Sequence, residues 1–153
     1  MALPRSYGVA STTELIMTTP PSIFPFMRYR DAKAAMAWLD SAFGFRVALE
    51  VPGPEAGSIA HAELQLGNGM VMLGSMPNTV LNLKLPAELG GITQGIYFVV
   101  PDVDAVYARA KAAGAVIVMD IHDTDYGSRD FSCRDPEGHL WSIGSYQPPM
   151  LKD

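Results

Sequence analysis

The chain has 153 residues, 48% of them hydrophobic, with 11 basic against 16 acidic side chains and a formal charge of -5. That is enough apolar chain for one well-packed domain. No basic stripe is visible, which argues against nucleic acid as a partner, and no apolar run approaches a membrane span.

Residues 1–22 carry Ser-Thr-Thr and Thr-Thr-Pro-Pro clusters and lack the pattern of a secretion signal, so they are expected to form an extended arm. Ile23 to Tyr29 is short and aromatic-rich and predicts a strand, with Pro25 at its start or edge. Asp31 is placed to cap a helix running to Phe43, and Ala34, Ala35, Trp38, Leu39, Ala42 and Phe43 give it an apolar face. Gly44 stops that helix. Phe45 to Val51 predicts the next strand. Ile59 to Leu66 and Met70 to Gly74 flank Gly67-Asn68-Gly69, a strong hairpin signal.

A connector with Pro77 and Pro86 follows. Gly95 to Val100 then predicts a strand, and Val103 to Ala113 a helix ended by Gly114. Val116 to Ile121, Ser128 to Arg134 and His139 to Tyr146 predict three more strands, the last two joined by a turn at Asp135-Pro136-Glu137-Gly138. Residues 147–153 are expected to be loose.

The second half therefore repeats the first. Asp31 matches Asp102, Ala34 matches Ala105, Ala37 matches Ala108, and Gly44 matches Gly114. A repeat of this length describes a supersecondary unit that buries its apolar face against its twin. The expected division is a first module over about residues 23–75, a linker over about 76–93 and a second module over about 94–146.

These motifs carry a resemblance. Tyr29-Arg-Asp31, Trp38-Leu39, Ala42-Phe-Gly-Phe45, Ile59-Ala-His-Ala-Glu-Leu64, Val100-Pro-Asp-Val-Asp104 and Arg134-Asp-Pro-Glu-Gly-His-Leu-Trp-Ser-Ile143 resemble the vicinal oxygen chelate superfamily, the glyoxalase, bleomycin-resistance and dioxygenase group. The resemblance implies an α+β fold of two tandem βαβββ modules whose strands curl into a half-open, barrel-like cup. It also implies a homodimer and a small molecule in the cup. Metal-dependent members draw His and Glu ligands for Zn, Mn, Ni or Fe from the first and fourth strands of each module. Counted from the shared motifs, those positions are Phe24, Gly95, Met72 or Leu73, and Ser142. None suits a divalent cation, and Gln94 is the best neighbouring exception. No metal and no cofactor is expected.

Strand parity gives the lining instead. Phe24, Phe26, Arg28, Met72, Tyr97 and Ser142 are expected to line the cup as ligand-binding residues. Ile23, Met27 and Tyr29 are expected to face the helices. His61 and Glu63 share one strand face and are the candidate catalytic pair, with His61 as base. The plainer alternative is that both are half-exposed residues on a sheet face, hydrogen-bonded to neighbours. Arg28 could fork onto a ligand carboxylate or pair with Glu63. Tyr126 and Arg129 flank Gly127 and form either a rim over the cup or a plain loop. His122 is expected in a polar loop, His139 at a solvent edge and Cys133 as a small packed residue.

Two function classes follow. One is a metal-free protein binding a small aromatic ligand, as the antibiotic-sequestering branch of the family does. The other is an enzyme, either a metal-dependent lyase, isomerase or dioxygenase, or a metal-free isomerase using His61. The lone cysteine fits a cytoplasmic location.

Overall fold

A computed structural model describes residues 20–77 and 79–152. The elements run β1 (Phe26–Tyr29), α1 (Ala32–Phe43), β2 (Arg46–Pro52), β3 (Ile59–Leu66), β4 (Gly69–Ser75), α2 (Pro86–Leu89), β5 (Gly95–Val99), α3 (Val103–Ala112), β6 (Val116–Asp123), β7 (Arg129–Arg134) and β8 (Leu140–Gly144). They build two four-stranded mixed sheets, ordered β1-β4-β3-β2 and β5-β8-β7-β6. The architecture is α+β with two βαβββ modules, and the strand order is the same in both. The registers repeat as well. Phe26 pairs with Met72 as Tyr97 pairs with Ser142, and Arg28 pairs with Gly74 as Val99 pairs with Gly144.

Local chemistry fixes the helix ends. The Asp31 side chain accepts from the Ala34 amide at 3.0 Å, and the Asp102 side chain does the same for Ala105. Gly44 closes α1 at φ +86°, a left-handed conformation that suits glycine. The buried face of α1 is Ala32, Ala35, Met36, Leu39, Ala42 and Phe43. This differs from the expected stripe at Ala34 and Trp38. Ala34 is exposed, and Trp38 is half-buried because it turns toward the second module, where its indole N–H donates to the Ala113 carbonyl at 2.7 Å.

The strand expected from Ile23 begins instead at Phe26, and Ile23 is 85% exposed rather than packed under the helices. Pro25 contributes only its carbonyl, which accepts from Met72 N. Residues 1–19 of the expected arm lie outside the described residues. The connector holds one short helix, α2.

The core lies between the modules. Phe43 and Phe45 of the first meet Phe98 and Trp141 of the second, with ring centroids 5.2 to 5.9 Å apart across the junction. A polar clasp sits beside it. Asp135, 3% exposed, accepts from the Tyr29 hydroxyl at 2.6 Å, from Trp141 Nε1 at 3.0 Å, and from the backbone amides of Glu137 and His139. Glu137 then accepts from the backbone amides of Arg30 and Asp31 at 2.6 and 2.9 Å. At the other end of α1, Arg109 donates to the carbonyls of Asp40 and Ser41. His139 is not a solvent-edge residue. Its Nε2 lies 2.9 Å from the Arg28 carbonyl, and its ring packs on Tyr29 at 4.6 Å. Among the described residues no helix is long and apolar enough to cross a membrane.

The clasp generates two predictions. Asp135→Ala strands the Tyr29 hydroxyl and the Trp141 N–H in the interior and should cost about 3 kcal/mol of stability; an unchanged urea midpoint would refute this. Burial, then Asp135, holds the Tyr29 hydroxyl well above its ordinary pKa. Burial, again with Asp135 behind it, pushes the Cys133 thiol up to about 12. The unfolded chain therefore loses these protons first as pH rises, so their stabilisation is complete below about pH 8 and is lost progressively above it. The combined Tyr29→Phe, Cys133→Ala protein should show a flatter alkaline limb in chemical denaturation at stepped pH.

Candidate ligand-binding site

Each sheet packs one face on the helix layer and leaves the other free. In the first module Met27, Tyr29, Ala62, Leu64, Val71 and Leu73 are buried inward, while Phe26, Arg28, His61, Glu63 and Met72 alternate outward. In the second, Phe131, Cys133, Trp141 and Ile143 are fully buried. Tyr97, Asp130, Ser132 and Ser142 lie on the opposite face.

The outward residues fall into separate hollows. Phe26, Arg28, His61 and Met72 line a shallow one of about 150 Å³ on the first sheet, with Leu81 at its edge. Tyr97, Ser142 and Tyr126 line a larger one of about 340 Å³ on the second sheet, together with Met119, Asp130, Ser132, Tyr146 and Pro148. A third, of about 110 Å³, lies where β1 meets the connector, and Gln94, Arg28 and His139 border it. The expected lining residues are thus divided between two faces. Phe24 is half-buried just before β1, outside these hollows.

Glycines shape both faces. A Cβ on Gly74 would stand 2.2 Å from Arg28 Nη1, so the guanidinium crosses β4 only because Gly74 has no side chain. A Cβ on Gly144 would stand 2.1 Å from Asp130 Oδ1 and 2.6 Å from the Tyr97 hydroxyl, so those two groups converge over Gly144 in the same way.

His61 and Glu63 do meet, Nε2 to Oε1 at 3.0 Å. Glu63 therefore pairs with His61 and not with Arg28, whose Nη1 reaches the Ser75 carbonyl at 3.5 Å. Arg129 is held by Asp104 and Asp123 at 2.8 to 3.0 Å and does not line the hollow that Tyr126 borders. His122 belongs to β6, not to a loop, and its Nδ1 lies 2.9 Å from the Asp120 carbonyl. Cys133 is fully buried.

Asp130 was not singled out by its sequence. Its carboxylate accepts from the hydroxyls of Ser128 and Tyr126, and Ser132 and Ser142 hydrogen-bond beside it at 2.7 Å. Tyr97 donates to the Tyr146 carbonyl at 2.7 Å, and the rings of Tyr126 and Tyr146 meet edge to face at 5.7 Å. The pKa values of Tyr97 and Tyr126 are raised, first by burial and then by Asp130. The signal that could have found Asp130 is the inward parity of Phe131 and Cys133.

The donor set does not fit a divalent cation. Phe24, Gly95, Met72 and Ser142 offer it one hydroxyl and one thioether. Among the described residues no three His, Cys, Asp or Glu side chains gather to hold a metal ion.

A family model for the glyoxalase/bleomycin resistance protein/dioxygenase superfamily matches residues 22–143. The chain belongs to that superfamily. The Mycobacterium bovis protein called uncharacterized protein Mb0911c is 34% identical over 132 residues, which is 85% of this chain and 86% of that one. Among solved structures, TioX from Micromonospora sp. ML1 is 33% identical with a TM-score of 0.64, over 86% of this chain and all of that one. A superfamily enzyme from Burkholderia phytofirmans PsJN shares the fold, with a TM-score of 0.63 at 22% identity over 80% of this chain and 95% of that one.

Proposed function

We propose that this superfamily member binds a small aromatic organic molecule on its helix-free sheet faces, without a metal ion, and that it sequesters that molecule rather than transforming it. The observation that carries this reading is the hollow over Gly144, where three tyrosines and a methionine surround a few polar groups. That is the make-up of a small-ligand pocket. Phe26, Met72, Tyr97 and Tyr126 supply the apolar and stacking contact, Ser142 a hydroxyl, and Arg28 orients the ligand on the first face. The poor donor set at the family's ligand positions supports the metal-free form of this reading.

A second reading has one observation in its favour. The 3.0 Å contact of His61 with Glu63 could orient an imidazole base for a metal-free isomerisation.

We also propose a homodimer. β2 is exposed along its whole length, and Val47, Leu49 and Val51 are 40 to 48% exposed. Val116, Val118 and Met119 on β6 are similarly bare. Such outer strands suit a second copy that closes each hollow. The buried Cys133 thiol supports a cytoplasmic location.

A thermal-shift screen of planar aromatic compounds and divalent metals tests the first reading, since a ligand that binds the folded state raises the melting temperature. Aromatic hits should survive chelation, and His61→Ala should leave their shift intact. Stoichiometric metal that ligand binding requires, or turnover abolished by His61→Ala, would sink sequestration. Sedimentation equilibrium should give twice the chain mass; a monomer at all concentrations would end the dimer proposal.

A further inference from the structure

The two faces differ in charge. Arg28 and the His61–Glu63 pair mark the first. On the second, Asp130 stands among Tyr97, Tyr126 and Tyr146, and none of the ion pairs among the described residues uses it. Its two hydrogen bonds come from hydroxyls, which leave the negative charge in place. A carboxylate has acceptor sites for about four such bonds. These two bonds use about half of that capacity, and Asp130 lines the hollow.

Tyrosine faces attract cations through the ring quadrupole, and a carboxylate beside them adds charge of the same preference. The formal charge of -5 on the whole chain favours approach of a cation over long range. Asp130 Oδ1 and the edge of the Tyr97 ring both lie over the Gly144 backbone, so the carboxylate and the ring border the same part of the hollow.

The geometry points to a ligand class: the hollow over Gly144 takes an aromatic molecule bearing a protonated amine or quaternary ammonium group. The cationic centre sits against Asp130 and among the tyrosine rings. The attached ring lies along Tyr97 and Met119. This rests on the reading of that face as an aromatic-ligand site and adds the charge of the ligand to it.

Three probes of similar shape separate the two ideas: 9-aminoacridine, a cation near neutral pH, acridine, which is neutral there, and anthracene-9-carboxylate, an anion. Titrated calorimetrically into the full chain, 9-aminoacridine should bind about tenfold or more tighter than acridine, and the anion weakest of all. Asp130→Asn should remove most of the cation's advantage over acridine, the tyrosine rings keeping the remainder, and leave acridine unchanged. Tyr126→Ala, which removes a ring 63% exposed, should weaken the cation with little effect on folding. The wild-type chain gives an independent reading, because added salt should weaken the cation and spare acridine. Equal affinities for cation and neutral ring, or a preference undiminished by Asp130→Asn, would overturn the cation site while leaving aromatic binding standing. Failure of all three probes to bind would overturn both.

Discussion

The fold depends on how the second module grips both ends of α1. Glu137 accepts the amides at the N-terminal end, and Arg109 donates to the carbonyls at the C-terminal end. Each charge has the sign that the helix dipole favours. Between them Asp135 is buried with four donors, one of them from the first module. A buried carboxylate missing even one of these would carry a desolvation cost of kilocalories. The clasp is satisfied only when the modules dock in one register, so it sets their geometry where the aromatic core alone would tolerate sliding. Phe43, Phe45, Phe98 and Trp141 supply the adhesion, and Asp135 and Glu137 supply the alignment.

That division leaves the outer faces free of structural duty. The duplicated backbone keeps its close-approach glycines, Gly74 and Gly144, but the groups laid over them have opposite charge. Arg28 crosses the first and Asp130 leans over the second. Met72 and Ser142, equivalent in register, likewise differ in kind. Divergence on these faces costs the core nothing, because the buried residues of β4 and β8 point the other way. Two modules of one origin can then present two chemically distinct surfaces.

The sequence was most legible where the cause is local. Helix caps at Asp31 and Asp102 and the Gly67-Asn68-Gly69 hairpin are decided within a few residues, and strand parity assigned Met27 and Tyr29 to the core. Ile23 was misplaced because a parity argument assumes a strand, and the strand begins only after Pro25. The partners of Asp135 were not legible. Tyr29 lies far away in the chain, and the turn motif advertises only its own bend. His139 was misread for the same reason, since its partners, Tyr29 and the Arg28 carbonyl, belong to the other module. Nor could parity tell that the outward residues divide between two hollows, because it says which face a residue takes and not which faces meet.

Asp130 and Asp135 flank the same stretch of β7, and their surroundings invite comparison. Asp135 needs no functional explanation, since each of its partners is a group the fold must satisfy in any case. Asp130 is different. It holds a charge near three tyrosines on an already acidic molecule, and its donors are the exposed Tyr126 and the buried Ser128 just before β7. An asparagine there has one side-chain oxygen and could keep only one of these bonds, since Ser128 donates to Oδ1 and Tyr126 to Oδ2. These bonds account for an acceptor at each carboxylate oxygen, but neither brings a counter-charge. What the described residues do not supply is a cation for that carboxylate, and this is the one part of the face that the proposed ligand would complete.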